Sequence, residues 1–336
     1  MERKEIEQLL SNGQFPFEQN AKARLIETAI SYIIIKGNYA YKIKKNIKLS
    51  FLDFSTLEKR KHFCYEELRL NKRLAKEIYL DVLSISQKGT NWYISKSTST
   101  PVEYAVLMQG MNPNHQLNEL LQKGVVKKKS INQLAQQLSH FHLKEKSLKL
   151  YYDPFFLSRE FADIEKFIST IETELGTIYT KLVHASISLS NDFIFLQQAF
   201  IRKRADDGYF KNCHGDLHVQ NIFIEEQPVI FDCIEFRDEF RQIDVLNEIA
   251  FLCMDLENYG YKNLADQFLT NYIKQTNYRF GKKEKLLFTY FKAYRACIRA
   301  KVTTIELSQH PEDIQLKKKA KKYIEAMSQY LIEVAE

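Results

Sequence analysis

The chain has 336 residues, 45% of them hydrophobic and 13% aromatic, with only 10 Gly and 6 Pro. That composition supports a sizeable core and excludes a disordered or collagen-like chain. The net charge is +7, but the lysine clusters at 42–48, 127–129, 282–285 and 317–322 are scattered and no nucleic-acid motif accompanies them, so solvated helix faces are expected rather than nucleic-acid binding. No apolar run approaches the roughly 20 residues of a membrane span. The start, MERKEIEQLL, is charged and helical rather than a signal peptide, and a cytoplasmic protein is expected. Cys64, Cys213, Cys233, Cys253 and Cys297 are odd in number and contain no CxxC pair. They read as reduced, buried small hydrophobes, not as a disulfide framework or a zinc site.

In chain order, residues 25–47 read as two strands. LIETAISYIII is rich in β-branched residues, KGN is a turn, and YAYKIKKNI alternates. The alternation places Tyr39, Tyr41 and Ile43 on one face and Ala40, Lys42 and Lys44 on the other. FSTLEKRKHFCYEELRLNKRLA is a helix with Ser55 and Glu58 in a capping box and Leu57, Phe63, Leu68 and Leu70 in its apolar stripe. Strands follow near 81–87, 91–97 and 103–109. From about residue 115 the pattern is helical, with INQLAQQLSHFH one helix and two or three more between 155 and 209. A loop and small hairpin interrupt at 213–232. Helices resume at about 243–258, 262–274, 283–306 and 311–334, with Pro311 in the first turn of the last.

The informative string is HGDLHVQN at 214–221. The apolar run NIFI, a turn at EEQP, the run VIF and then Asp232 follow it. Phosphoryl transfer from ATP needs a carboxylate to accept the substrate hydroxyl proton, and a neutral oxygen donor with a second carboxylate to hold the metal. Mg²⁺ takes hard oxygen ligands, usually only one or two carboxylates beside phosphate oxygens. Asn221 with Asp232 then make the metal site, and Asp216 remains as the base. His214 holds the loop, and His218 is ambiguous. The HxxxH spacing of the two raises zinc, but the intervening Gly-Asp favours a turn over a helix, and no Glu follows the first His. Between 225 and 257 acids outnumber bases ten to two, so the acidic site and the basic surface are separate.

This pattern resembles the aminoglycoside phosphotransferase and choline kinase branch of the protein-kinase-like superfamily. Residues 39–74 and 231–257 further resemble an uncharacterised bacterial family of aminoglycoside phosphotransferase-like proteins, over most of the chain from about 25 to 300. Some members of that family carry an extra P-loop domain, and this chain has no GxxxxGK[ST] string. The resemblance implies a bilobal α+β protein-kinase-like fold. A small β-rich N-lobe would occupy 1–110, and a helical C-lobe 111–336 would carry the catalytic loop 213–232. It implies that Lys42, in Ala40-Tyr41-Lys42, pairs with the α- and β-phosphates of ATP, with Lys44 on the same face as the alternative. Glu67 would pair with that lysine, with Glu66 the alternative. Adenine would lie at the hinge near 106–111, against Met108 and Gln109.

The glycine-rich phosphate loop of protein kinases is absent here, and 27–31 is the candidate backbone cradle in its place. Glu235 is expected beside the metal ligands. Asp244 is expected to open a helix and tie down the catalytic loop, with Arg241 and Arg237 either pairing with it or contacting an anionic acceptor. Asp255 and Glu257 hint at a polar or cationic acceptor. The expected activity is transfer of the ATP γ-phosphate to a hydroxyl of a small molecule, using Mg²⁺. The alternatives are a non-catalytic nucleotide-binding or regulatory module, a protein kinase and a nucleic-acid-binding protein. A protein kinase is disfavoured by the missing DFG and APE-like segments.

Overall fold

The structure, a computed structural model, describes residues 1–336 apart from 19, 50, 99 and 149–151. The chain divides into two compact units, residues 1–119 with 221–240, and residues 120–220 with 241–336. Residues 111–119 and the segment 221–240, expected in the helical lobe, group here with the first unit. The boundary falls inside the HGDLHVQN motif, between Gln220 and Asn221.

The first unit begins with α1 (Arg3–Asn12), β1 (Gly13–Gln14), β2 (Ala23–Glu27), β3 (Ser31–Lys36), β4 (Tyr39–Lys44), α2 (Leu57–Asn71), β5 (Tyr79–Lys88), β6 (Asn91–Ser95) and β7 (Glu103–Gln109). The seven strands form one sheet in the order β1-β6-β5-β7-β4-β3-β2. All neighbours are antiparallel except the short pair β1 and β6. LIETAISYIII, expected as one strand, is two. The Thr28 N–H donates to the Ser31 carbonyl, and the Ser31 N–H returns to the Thr28 hydroxyl, both at 2.9 Å. A Thr or Ser hydroxyl offers the backbone a local partner that competes with the ladder, which β-branched content alone does not reveal.

The alternation in β4 sorts its residues as expected. Tyr41 and Ile43 pack in a cluster with Ile6 and Leu9 of α1. Ala40 packs on the opposite face with Cys64 of α2, Val106 and Met108. Burying each large apolar side chain contributes about 1.5–3 kcal/mol, so register is firmly set, and Lys42 and Lys44 must project on the α2 side. Helix α2 starts one residue later than its expected capping box. Thr56 is the N-cap and accepts the Lys59 N–H at 3.3 Å, while the Ser55 hydroxyl donates to Asp53 at 2.5 Å.

The chain continues through α3 (Leu117–Gln122), α4 (Lys128–Lys144), α5 (Phe155–Ala162), α6 (Ile168–Leu175), α7 (Thr177–Asp206), β8 (Phe210–Asn212), β9 (Ile222–Ile224), β10 (Pro228–Ile230), β11 (Gln242–Asp244), α8 (Val245–Asn258), α9 (Lys262–Thr276), α10 (Lys282–Gln309) and α11 (Ile314–Ala335). The β9–β10 hairpin belongs to the first unit. In the second unit β8 pairs with β11, and α8 packs against α9 and α10. Helix α8 is buried from Val245 to Leu256, as expected of a helix that is apolar nearly all round.

Asp244 does open α8, accepting the Leu246 N–H at 2.8 Å. Its bidentate partner is not the expected Arg241 or Arg237 but Arg204 of α7, which grips both carboxylate oxygens at 2.6 and 2.8 Å. Arg237 pairs with Glu239. Pro311 lies ahead of α11, which Asp313 caps through the Gln315 and Leu316 amides. All five cysteines are buried and unbridged. Among the described residues no helix is long and apolar enough to cross a membrane.

Candidate active site

In the first unit the β9–β10 hairpin pairs Ile222 with Ile230, so Asn221 and Asp232 come to the same end of it. The Phe231 N–H donates to the Asn221 carbonyl at 3.1 Å and closes that end. Asp232 has φ +66°, a left-handed conformation that L-residues rarely adopt. Asp is among the few non-glycine residues that tolerate it. The strain is held by neighbours. The Asp232 N–H donates to the Tyr79 hydroxyl at 3.2 Å, and the Cys233 N–H to Asn71 Oδ1 at 2.8 Å.

Lys42 Nζ lies 2.5 Å from Asp232 Oδ1 and 2.8 Å from Glu67 Oε1. Lys44 Nζ lies 2.7 Å from the other oxygen of Glu67 and also pairs with Glu235. Both lysines therefore reach the same carboxylate, one on each oxygen. Glu66 points elsewhere and pairs with Arg69 at 2.6 Å. Burial opposes the charges of Lys42 and Glu67, but their ion pairs prevail. The Lys42 pKa is raised well above its ordinary value by Asp232 and Glu67, and Glu67 is held down at about 2 by Lys42 and Lys44. Glu235 is shifted the other way, because burial and the neighbouring Glu67 outweigh Lys44. Met108 pairs in register with Ala40 of β4 and is buried, and Gln109 Nε2 donates to the Asn38 carbonyl at 3.0 Å. In the cradle expected at 27–31, the Thr28 and Ser31 amides are already bonded within their turn.

In the second unit β8 leads into the loop His214-Gly215-Asp216. Gly215 has φ +89°, which accounts for glycine at this position. Glu248 of α8 accepts the His214 N–H at 2.6 Å and the Gly215 N–H at 2.9 Å, and Arg295 of α10 donates to the Gly215 carbonyl at 2.9 Å. Seven residues along α8, on the same face, Asp255 accepts the Val219 N–H at 3.1 Å. The Tyr323 hydroxyl also donates to it, at 2.8 Å. Glu248 and Asp255 thus anchor both ends of the loop, the role expected of Asp244. The signal was present in the sequence. Two acids inside the apolar run of α8 must be partnered, because a buried unpaired charge is costly.

His214 is fully buried, and its Nδ1 accepts the Asp216 N–H at 3.3 Å. The Asp216 side chain is 33% exposed, and its Oδ2 is 3.3 Å from His218 Nε2. His218 Nδ1 accepts the Gln220 N–H at 3.2 Å. In the neutral ring Nε2 therefore carries the proton and donates toward Asp216. Arg299 Nη1 is 3.4 Å from His218 Nε2, and Arg299 Nη2 donates to Gln220 Oε1 at 2.8 Å. Burial alone raises the Asp216 pKa, but His218, Arg299 and His214 outweigh it and hold the carboxyl well below the usual range. Sequence reasoning left His218 ambiguous and passed over Arg295 and Arg299, which lie on a helix distant in sequence.

The expectation for Asp255 and Glu257 is corrected. Asp255 is buried in loop contacts, and Glu257 pairs with Lys292 at 3.0 Å and accepts the Tyr330 hydroxyl at 2.5 Å. Neither offers an acidic surface to a cationic acceptor. The ligand atoms of His142, Cys213 and Glu248 lie within 4.8 Å of one another. However, Glu248 is engaged by the loop amides and His142 Nδ1 is 2.6 Å from the Tyr272 hydroxyl, so this cluster reads as scaffold for the loop.

No protein-family model matches the chain. An uncharacterised protein of Mycobacterium tuberculosis is 27% identical over 297 residues, covering 84% of this chain and 55% of that protein. The chain spans about half the length of the curated relatives it matches. Among solved structures, a choline kinase from Cryptosporidium parvum superposes with a TM-score of 0.55 at 13% identity, covering 99% of this chain and 96% of that one. An amicoumacin kinase in complex with AMP-PNP, Ca²⁺ and its antibiotic gives 0.56 at 12% identity, covering 98% and 94%. An aminoglycoside phosphotransferase in complex with GDP and kanamycin gives 0.52 at 12% identity, covering 98% and 99%. At such low identity these matches show the fold. The chain has the protein-kinase-like α+β fold of choline kinases and aminoglycoside phosphotransferases.

Proposed function

We propose that the protein is a phosphotransferase that moves the γ-phosphate of ATP to a hydroxyl of a small molecule, with Mg²⁺. The observation that carries this reading is Lys42 held between Glu67 and Asp232. A buried lysine oriented by a carboxylate, beside a second and more exposed carboxylate, is the arrangement expected to receive nucleotide phosphates and their metal. The fold is one in which solved neighbours bind AMP-PNP or GDP. The donor chemistry also fits a hard cation. Asn221 and Asp232, at one end of the hairpin, offer one neutral oxygen and one carboxylate, a donor set suited to a Mg²⁺ that keeps phosphate and water oxygens. When bound, the metal supplies neutralisation of phosphate charge.

The chain's own residues then have separable roles. Lys42 pairs with phosphate oxygens while Glu67 fixes its ammonium. Met108 and Gln109 are the proposed adenine contacts. Asp216, ionised and partly exposed, orients the acceptor hydroxyl and takes its proton, and His214 holds the loop that presents it. A loose transition state asks little base strength of that carboxylate, so its depressed pKa is no obstacle. A protein kinase is disfavoured, because the backbone after Asp232 is pinned by Tyr79 and Asn71 rather than running into a long activation segment. A non-catalytic nucleotide-binding module is disfavoured by the partly exposed, ionised Asp216.

The test is ATP consumption in the presence of pooled hydroxyl compounds, followed by mass analysis for a phosphorylated product. Turnover that needs Mg²⁺ and is lost in Asp216→Asn supports the reading. Nucleotide binding without turnover by any pool, unchanged in Asp216→Asn, favours the non-catalytic module.

A further inference from the structure

Two buried lysines on one strand face share one glutamate, and their second partners differ in exposure. Asp232, the partner of Lys42, has a side chain 39% exposed. Glu235, the partner of Lys44, is 4% exposed, and Lys44 itself 1%. A phosphate arriving from solvent can therefore take Lys42 from Asp232, and the Lys44 pairs lie beyond its reach. We propose that Lys44 and Glu235 are a positioning pair that keeps Asp232 in its metal-binding conformation and Glu67 neutralised while Lys42 exchanges Asp232 for phosphate. This inference rests on the nucleotide reading above and adds a second lysine with a distinct task.

The argument is geometric. Asp232 sits in a strained left-handed conformation, so it stays in place only if its flanks are fixed. Upstream, the Phe231 N–H is bonded to Asn221. At the turn itself, Tyr79 and Asn71 receive the Asp232 and Cys233 amides. Downstream, Arg73 donates to Cys233 Sγ at 3.4 Å, and Glu235 is tied to the buried Lys44. When Lys42 leaves Asp232 for a phosphate, Glu67 still faces Lys44 at 2.7 Å, so the buried carboxylate on α2 is never left without a cation. Groups that orient a metal ligand without touching the metal characteristically alter its affinity by about 10–100-fold when removed. The chain thus divides between two lysines the tasks of contacting phosphate and of holding the metal ligand.

The experiment uses Glu235→Gln and the double variant Lys44→Met/Glu235→Gln. The double variant removes both buried charges together and so avoids an orphaned ion. Two readouts are taken, the Mg²⁺ concentration for half-maximal binding of AMP-PNP and amide hydrogen exchange over residues 231–235. Expected are a rise of about tenfold or more in the Mg²⁺ requirement, unchanged AMP-PNP binding without metal, and faster exchange at 231–235 with the β9–β10 hairpin unaltered. A folded variant of either kind with the wild-type Mg²⁺ requirement and wild-type exchange overturns the proposal. Absence of Mg²⁺-dependent AMP-PNP binding in the wild type overturns the nucleotide reading itself, which separates the two failures.

Discussion

The Lys42 ammonium lies 2.5 Å from the Asp232 carboxylate, and that carboxylate belongs to a residue with φ +66°. The pairing dictates which substitution is informative. Asn also tolerates positive φ, so Asp232→Asn is expected to fold normally and to lose Mg²⁺-dependent nucleotide binding. Asp232→Ala is expected to lose binding too and to cost about 1–2 kcal/mol more stability than Asp232→Asn, because alanine resists the left-handed conformation. Urea denaturation of the two variants separates metal loss from backbone strain.

Asp216 is held ionised by His218, Arg299 and His214 despite burial. Asp216→Asn is expected to slow transfer by about 10²–10⁴-fold with AMP-PNP affinity unchanged. Replacing His218 by Asn removes the Nε2–H that faces Asp216. That change is expected to move the acid limb of the pH–rate profile upward, because one of the influences lowering the Asp216 pKa is gone.

Glu248 accepts two consecutive loop amides. In Glu248→Gln one of those acceptors becomes an N–H donor. The expected stability loss is about 1–3 kcal/mol, with transfer impaired and nucleotide binding spared. The double readout of denaturation midpoint and AMP-PNP affinity checks this. Equal loss of both contradicts a role confined to the loop.

Glu67 yields a pH-dependent stability. Its pKa of about 2 in the fold lies below the ordinary value of 4.5. Its contribution is therefore full above about pH 4.5 and is lost as pH falls toward 2. Urea titrations from about pH 6 to about pH 3 are expected to show the wild type losing its advantage over Glu67→Gln across that range. An advantage independent of pH contradicts the assigned ion pairs.

Much of this was legible in the residues, and the reasons are local. Period-two alternation placed Lys42 and Lys44 on one face of β4, because burial of Tyr41 and Ile43 on the other fixes the register. The hairpin between Asn221 and Asp232 was readable from two apolar runs around a turn. Three things were not. The break at Thr28–Ser31 depends on one hydroxyl competing with the ladder. The bidentate partner of Asp244 is Arg204, forty residues away, and no local pattern selects it over Arg241. The anchoring of the loop by Glu248, Asp255 and Arg295 arises from the packing of α8 and α10. Buried acids in the apolar run of α8 announced partners without naming them.

The central claim is tested most directly by thermal stability with AMP-PNP, with Mg²⁺ and with both together, in the wild type and in Asp232→Asn. A ligand at 100 times its dissociation constant adds about 2.7 kcal/mol, readily seen as a rise in Tm. The expected result is a rise that needs both components in the wild type and is lost in Asp232→Asn. The absence of any rise in the wild type with nucleotide and Mg²⁺ together contradicts the account.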